Sequence, residues 1–386
     1  IDLHKQGYYV VGMRMPGHGT TPSGFVHVDW QDMAAATRLG MNHLVRQVGD
    51  KPVHIVGYST GGTLALNFAL DALDGDATPE PASLVLISPA VGITAAAGMA
   101  GFVNWLSRIG FKGLAYTSVA PEFDPYKYNS FSANAGQQVH RITKHVAKRM
   151  DTLARNYASS EQRLPPTLVL QSTVDATVKS GALIDKLILK LDPERHELVL
   201  FDINRFSANF ALLNDDPAPI TDRLIANENL PVAVTLVSNA SETSHEVVAY
   251  RKLSGEGHAH TEDALGLAWP EEVISLSHVA LPISPDDPLY GRRVPENKDE
   301  VNLGEISVRG EKGLLRIPPE WVVRLRYNPF YEYLSTRSLD WIDAANGATD
   351  TEQKKALAGS AEAVSDSSPA IGRRTMNGWP ITASIT

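Results

Sequence analysis

The chain has 386 residues, enough for two domains or for one large α/β domain with insertions. Its 43% hydrophobic content supports a buried core, and 44 acidic against 35 basic side chains, a net charge of −9, argue against a general nucleic-acid binder, whose affinity rests on neutralising phosphates. Cysteine is absent, which removes disulfides and thiolate metal centres, and no apolar run approaches the roughly 18 residues of a membrane-spanning helix.

The chain opens at Ile1, not Met, without a signal-like stretch, so the true N-terminus is expected upstream together with any targeting signal, and localisation is left open between cytoplasm and periplasm. Tyr8–Met13 reads as a buried strand halted by Pro16 and Gly17. Apolar residues then recur at helical spacing from Val28 to Val48 (Trp30, Met33, Leu44). Val53–Gly57 is a strand, Thr60–Leu73 a helix and Ser83–Ile87 a strand. Thr167–Leu170 is a strand, Val178–Leu191 a helix and His196–Phe201 another strand. Alternating strands and helices predict a mostly parallel sheet flanked by helices. The reading divides the chain into a core at 1–91, a helical cap at 92–160, core again at 161–203, an insertion at 204–272, core at 273–343 and a disordered tail at 344–386. Within the insertion, Val232–Val237 and Glu246–Tyr250 look strand-like.

The strongest chemical signal is Gly57-Tyr58-Ser59-Thr60-Gly61-Gly62, set between a predicted strand and a predicted helix. This G-x-S-x-G pattern, in that context, is a nucleophile elbow. A tight turn lifts the Ser59 hydroxyl above the sheet, and Gly57 and Gly61 keep side chains out of the close strand–helix contact. The N–H of Thr60 points at developing negative charge. A serine needs a base and the base an orienting acid, and behind such an elbow they follow in the order acid, then histidine. Asp175, at the end of Thr167–Leu170, fits the acid; it would also serve as a helix N-cap. Of twelve histidines, His278 is chosen as base because it lies in the apolar run Val273–Pro282, read as strand-like. His258 and His260, with Glu256 and Asp263, form a cluster that can be read as metal ligands but more simply as a solvated loop, and no cofactor or metal is expected. His140 and His145 lie in a basic helical stretch with Arg141, Lys144, Lys148 and Arg149. This reads as a solvated face, and in a cap it would also suit an anionic lipid surface. His18 is taken as loop structure.

With these residues in place, the chain resembles the α/β-hydrolase superfamily, in its bacterial esterase, monoacylglycerol-lipase and lysophospholipase-like branch. Pro16-Gly17-His18-Gly19-Thr20, the elbow at Gly57–Gly62, and Ser277–Pro282 with Pro285–Gly291 carry the resemblance, which spans about residues 7–343. It implies Ser59, Asp175 and His278 as a catalytic triad. It also implies a His-Gly loop supplying a second oxyanion N–H; the sequence starts too late to contain that loop and the strands before it, leaving Thr60 as the assignable donor. The expected function is hydrolysis of carboxylic esters, of lipid or short-chain acyl type, through an acyl-enzyme. Acyl transfer or peptide hydrolysis by the same triad, and a non-catalytic scaffold that binds a ligand or partner, are the alternatives. In the cap, Phe102, Trp105, Leu106, Ile109, Phe111, Leu114 and Tyr116 are expected to wall an acyl pocket or to form plain core.

Overall fold

The computed structural model describes residues 1–19, 21–91, 115–119, 128, 130–193, 195–208, 213, 216–292, 302, 309–311, 323–363 and 381–385. Of the residues expected to wall the cap pocket, Phe102 to Leu114 lie outside these. In chain order the elements are α1 (Asp2–Lys5), β1 (Tyr9–Met13), α2 (Trp30–Val48), β2 (Val53–Tyr58), α3 (Thr60–Leu73), β3 (Ser83–Ile87), β4 (Tyr116–Ser118), β5 (Phe131–Ser132) and α4 (Ala133–Asn156). There follow β6 (Thr167–Ser172), α5 (Ser180–Lys186), β7 (His196–Phe201), α6 (Ala218–Ala226), β8 (Ala233–Asn239), β9 (Glu246–Lys252) and β10 (His260–Ala268). The last are β11 (Arg309–Gly310), β12 (Val323–Arg324), α7 (Tyr331–Ala363) and β13 (Ile381–Ile385).

Nine strands form one sheet in the order β1-β13-β2-β3-β6-β7-β8-β9-β10. The ladders are parallel from β1 to β8, and β9 and β10 continue antiparallel. The central strands are buried along their whole length, because helices or packed loops cover both faces. Alternation sorts their side chains: Leu84, Leu86, Val169, Leu198 and Leu200 join the core under α2, α3, α4 and α5. Val85, Ile87, Leu168, Leu170, Val199 and Phe201 join the core under α7 and the 269–290 segment. Each such side chain contributes on the order of 1.5–3 kcal/mol by leaving water.

Local chemistry sets the helix ends. At the start of α2, Asp29 and Asp32 form a reciprocal capping box, with the Asp29 N–H donating to Asp32 Oδ2 at 2.9 Å. Ser132 caps α4 by accepting from the N–H of Ala135 at 3.0 Å. The basic stretch of α4 is not wholly solvated: Arg149 turns inward to Asp71 Oδ1 at 2.5 Å and Asp74 Oδ2 at 2.7 Å, tying α4 to α3. No helix among the described residues is long and apolar enough to cross a membrane.

Four readings differ from the structure. β1 is the edge strand and is half-exposed, not a buried run. The 204–272 segment does not stand apart from the sheet, since β8, β9 and β10 extend it. The stretch from 344 onward is not all disordered: α7 continues to Ala363 and β13 sits between β1 and β2. Asn346 explains part of this, because its Oδ1 meets Nε2 of the fully buried His54 at 2.9 Å, and a buried imidazole needs such a partner. Finally, Val273–Pro282 is a chain of turns, with Val273 alone in a bridge.

Candidate active site

At the junction of β2 and α3, Ser59 holds φ 51° and ψ −118°, a left-sided conformation that costs a non-glycine residue about 1–3 kcal/mol. Its neighbours enforce the turn. A Cβ on Gly57 would lie 2.6 Å from the carbonyl oxygen of Gly61 and 2.7 Å from the nitrogen of Gly62. A Cβ on Gly62 would lie 2.8 Å from Cβ of Pro89, so the second glycine of the Gly61-Gly62 pair, given no role by the motif, keeps β3 close to the elbow. The carbonyl of Ser59 accepts from the N–H of Ala90 at 2.9 Å, and its own N–H donates to Ile87 O at 2.9 Å.

The three residues singled out in the sequence meet at the C-terminal ends of the parallel strands. Ser59 Oγ lies 3.0 Å from His278 Nε2, and His278 Nδ1 lies 2.7 Å from Asp175 Oδ2. Asp175 follows β6 and is 4% exposed; His278 is 5% exposed. Two backbone donors, Thr177 N–H and Val178 N–H, reach Asp175 Oδ1 at 2.8 Å each, so Asp175 orders the following turn, but it is not the helix N-cap of the alternative reading, since α5 begins at Ser180 behind Lys179. Gln171 Nε2 donates to Oδ2 at 3.2 Å. An ionised carboxylate only accepts, so the 2.7 Å contact makes Nδ1 the protonated nitrogen and turns the lone pair of Nε2 toward the serine hydroxyl. The geometry is that of a general base poised on an alcohol.

Thr60 opens α3, and its N–H is among those that the helix itself cannot satisfy. Tyr58 was quoted in the sequence only as an elbow residue. Its hydroxyl donates to the carbonyl of His278 at 3.2 Å, and its ring lies 5.2 Å from the imidazole. Burial, and after it the charge of Asp175, pushes its phenol pKa well up, so it stays a donor.

Beside Ser59 opens a cavity of about 390 Å³, lined by Met15, Phe25, Met33, Leu64, Tyr128 and Phe131, among others. His18 joins this wall, edge-on to Phe25 at 4.4 Å, and so does more than shape a loop. The Tyr128 hydroxyl donates to Gly17 O at 3.2 Å, joining the cap to the Pro16–Gly19 loop. His260 opens β10, in the part of the sheet that β8 and β9 extend, and His258 lies in the loop just before it. Among the described residues, no group of three or more His, Asp or Glu side chains converges as a metal site would.

A family described as serine aminopeptidase, S33, matches residues 1–203. No curated protein matches the chain. Solved structures similar to it include one from the metagenome-derived lipolytic enzymes LipS and LipT, 19% identical, covering 52% of this chain and 74% of that one with a TM-score of 0.37. A soluble variant of monoglyceride lipase from Saccharomyces cerevisiae is 15% identical over 50% of this chain and 67% of that one, TM-score 0.35. Est1E from Butyrivibrio proteoclasticus, with ferulic acid bound, is 15% identical over 49% and 65%, TM-score 0.30.

Proposed function

The chain belongs to the serine aminopeptidase S33 family of α/β-hydrolases, and on that premise we propose that it cleaves carboxylic esters through an acyl-enzyme. The observation that carries the proposal is the unbroken relay from Ser59 Oγ through His278 to Asp175, at 3.0 and 2.7 Å. In this reading Ser59 Oγ attacks the ester carbonyl while His278 Nε2 takes its proton. The resulting imidazolium is stabilised by Asp175, and the oxyanion by the Thr60 N–H at the head of α3. Collapse of the tetrahedral intermediate expels the alcohol, which receives the proton from Nε2. Water then repeats the sequence on the acyl-enzyme and restores Ser59.

The choice of an ester over a peptide with a free amino terminus rests on the cavity. A terminal ammonium calls for a carboxylate within a few ångströms. The described residues lining the space beside Ser59 include no Asp or Glu, and its exposed surface is mainly apolar. An acyl chain suits that lining. The family description supports the other reading, an aminopeptidase using the same three residues.

Two measurements decide. A fluorophosphonate probe should label Ser59 in the wild-type chain and not in Ser59→Ala. Against matched panels of p-nitrophenyl acyl esters and aminoacyl p-nitroanilides, the esters should be turned over at least about 100-fold faster in kcat/KM. Turnover of the anilides alone would make the aminopeptidase reading correct, and no labelling would leave a binding scaffold.

A further inference from the structure

His278 lies on neither a strand nor a helix, so something outside the regular elements has to hold its main chain. The stretch leading to it is stitched by side chains. Ser172 Oγ donates to Leu276 O at 2.9 Å, Ser277 Oγ donates to Leu325 O, and Ser275 Oγ accepts from the N–H of Glu311 at 3.0 Å. The N–H of His278 itself donates to Glu311 Oε2 at 3.1 Å. Glu311 is 1% exposed. Its other oxygen, Oε1, accepts from Arg324 at 3.0 Å. Arg324 also reaches Thr177 Oγ1 at 3.5 Å, and the N–H of Thr177 donates to Asp175 Oδ1 at 2.8 Å. One carboxylate and one guanidinium thus join the main chain of the histidine to the turn that carries its acid.

The local fold is arranged to deliver this pair. β11 and β12 run parallel with Gly310 opposite Arg324, which brings Glu311, the next residue, alongside the guanidinium. Gly310 permits the approach: a Cβ there would lie 2.5 Å from Cγ1 of Ile274, in the segment that leads to the histidine. A buried carboxylate is costly to desolvate, and such pairs add little net stability compared with an apolar filling. A peptide carbonyl would satisfy the His278 N–H at lower cost. What the ion pair adds is a fixed direction, because a carboxylate held by Arg324 at one oxygen presents the other at a set place.

We propose that Glu311, held by Arg324, is a positioning residue that sets the His278 main chain relative to Asp175 and so keeps the imidazole within reach of Ser59. This rests on the reading of Ser59, His278 and Asp175 as the catalytic residues.

The test compares Glu311→Gln, Glu311→Ala and Arg324→Lys with wild type in the full chain, using the best p-nitrophenyl ester, the rate of fluorophosphonate labelling and the melting temperature. Glu311→Gln keeps an acceptor for the His278 N–H but loses the charge that orients it; kcat and labelling rate should both fall about 10-fold with KM within twofold. Glu311→Ala should fall about 100-fold or more, and Arg324→Lys, which keeps the charge, should recover to within about threefold of wild type. The nearly isosteric Gln variant decides if the Ala variant does not fold. Equal labelling and kcat in wild type and folded Glu311→Gln would overturn the inference alone. So would a kcat loss matched by a rise in KM, the mark of general damage to the cavity. A wild-type chain that does not react with the probe would overturn the triad reading and this inference with it.

Discussion

Nδ1 of His278 and Oδ2 of Asp175 stand 2.7 Å apart although 103 residues separate them in the chain. Between them the polypeptide completes β7, adds three more strands to the sheet and returns through a series of turns. Asp175 is fixed by the end of a core strand, and His278 is brought to it from a loop. The predictions below separate what each part contributes.

Ser59 is expected to be both indispensable and strained. Ser59→Ala should lower ester turnover on the order of 10⁴–10⁶-fold in kcat. Ser59→Gly should be equally inactive yet more thermostable than wild type, since glycine accepts φ 51° without the cost a side chain incurs there. Thermal melts of both variants check this. A Gly variant that melts below the Ala variant would show that the turn stores no strain.

The histidines should separate cleanly. His278→Ala should abolish ester hydrolysis. His258→Ala should change kcat by less than about threefold, because His258 precedes the edge strand β10, six strands along the sheet from β2 and the Ser59 turn. Rates on one p-nitrophenyl ester suffice. A large loss in His258→Ala would redirect attention to the Glu256–Asp263 segment.

Gly57 should tolerate no side chain. In Gly57→Ala, the new Cβ meets backbone atoms of Gly61 and Gly62 at 2.6–2.7 Å, which cannot rotate away as a side chain would. The expected cost is at least about 1–3 kcal/mol, seen as a lowered melting temperature together with slower probe labelling. An unchanged melt would mean that the strand–helix junction is more pliable than the packing implies.

Stability should fall on mild acidification, in part through His54. The imidazole is fully buried between Ser83 Oγ at 2.8 Å and Asn346 Oδ1 at 2.9 Å, and burial pushes its pKa below the ordinary histidine value. The unfolded chain therefore binds this proton at a higher pH than the folded one. Its contribution is complete above about pH 6.5 and is lost as pH falls through the lowered folded value. Melting temperatures between pH 5 and 8 should drop more steeply toward acid for wild type than for His54→Gln. Parallel slopes would show that His54 plays no part.

Much of this could be read from the residues themselves. α3, β3 and β7 have the limits that their sequences suggest, because a strand covered on both faces is a plain apolar run and the elbow marks where a helix must begin. β10 was hidden: His260-Thr261-Glu262-Asp263 is polar, Gly266 interrupts it, and its pairing with β9 shifts register twice. His278 is the histidine that lies beside Ser59 and Asp175, though not on the strand its sequence suggested. Its segment is apolar because it is buried, and it is held by side chains from Ser172, Glu311 and Tyr58, not by a ladder. Glu311 gave no local signal, since its meaning comes from partners remote in sequence. Tyr58 and Gly62 were in plain view within the elbow, but their roles depend on the His278 carbonyl and on Pro89.

β13 has a consequence for how the molecule is made. Tyr9 pairs with Ile381 and Val53 with the same residue, so β1 and β2 never touch each other directly and are joined by a strand made after all the other described strands. Until residues 381–385 leave the ribosome, β1 has no place in the sheet and the flank of β2, which leads into the elbow, remains an open edge able to pair with another chain. Sheet closure thereby waits for residues 381–385, and chains stalled or nicked before them are the species most prone to associate.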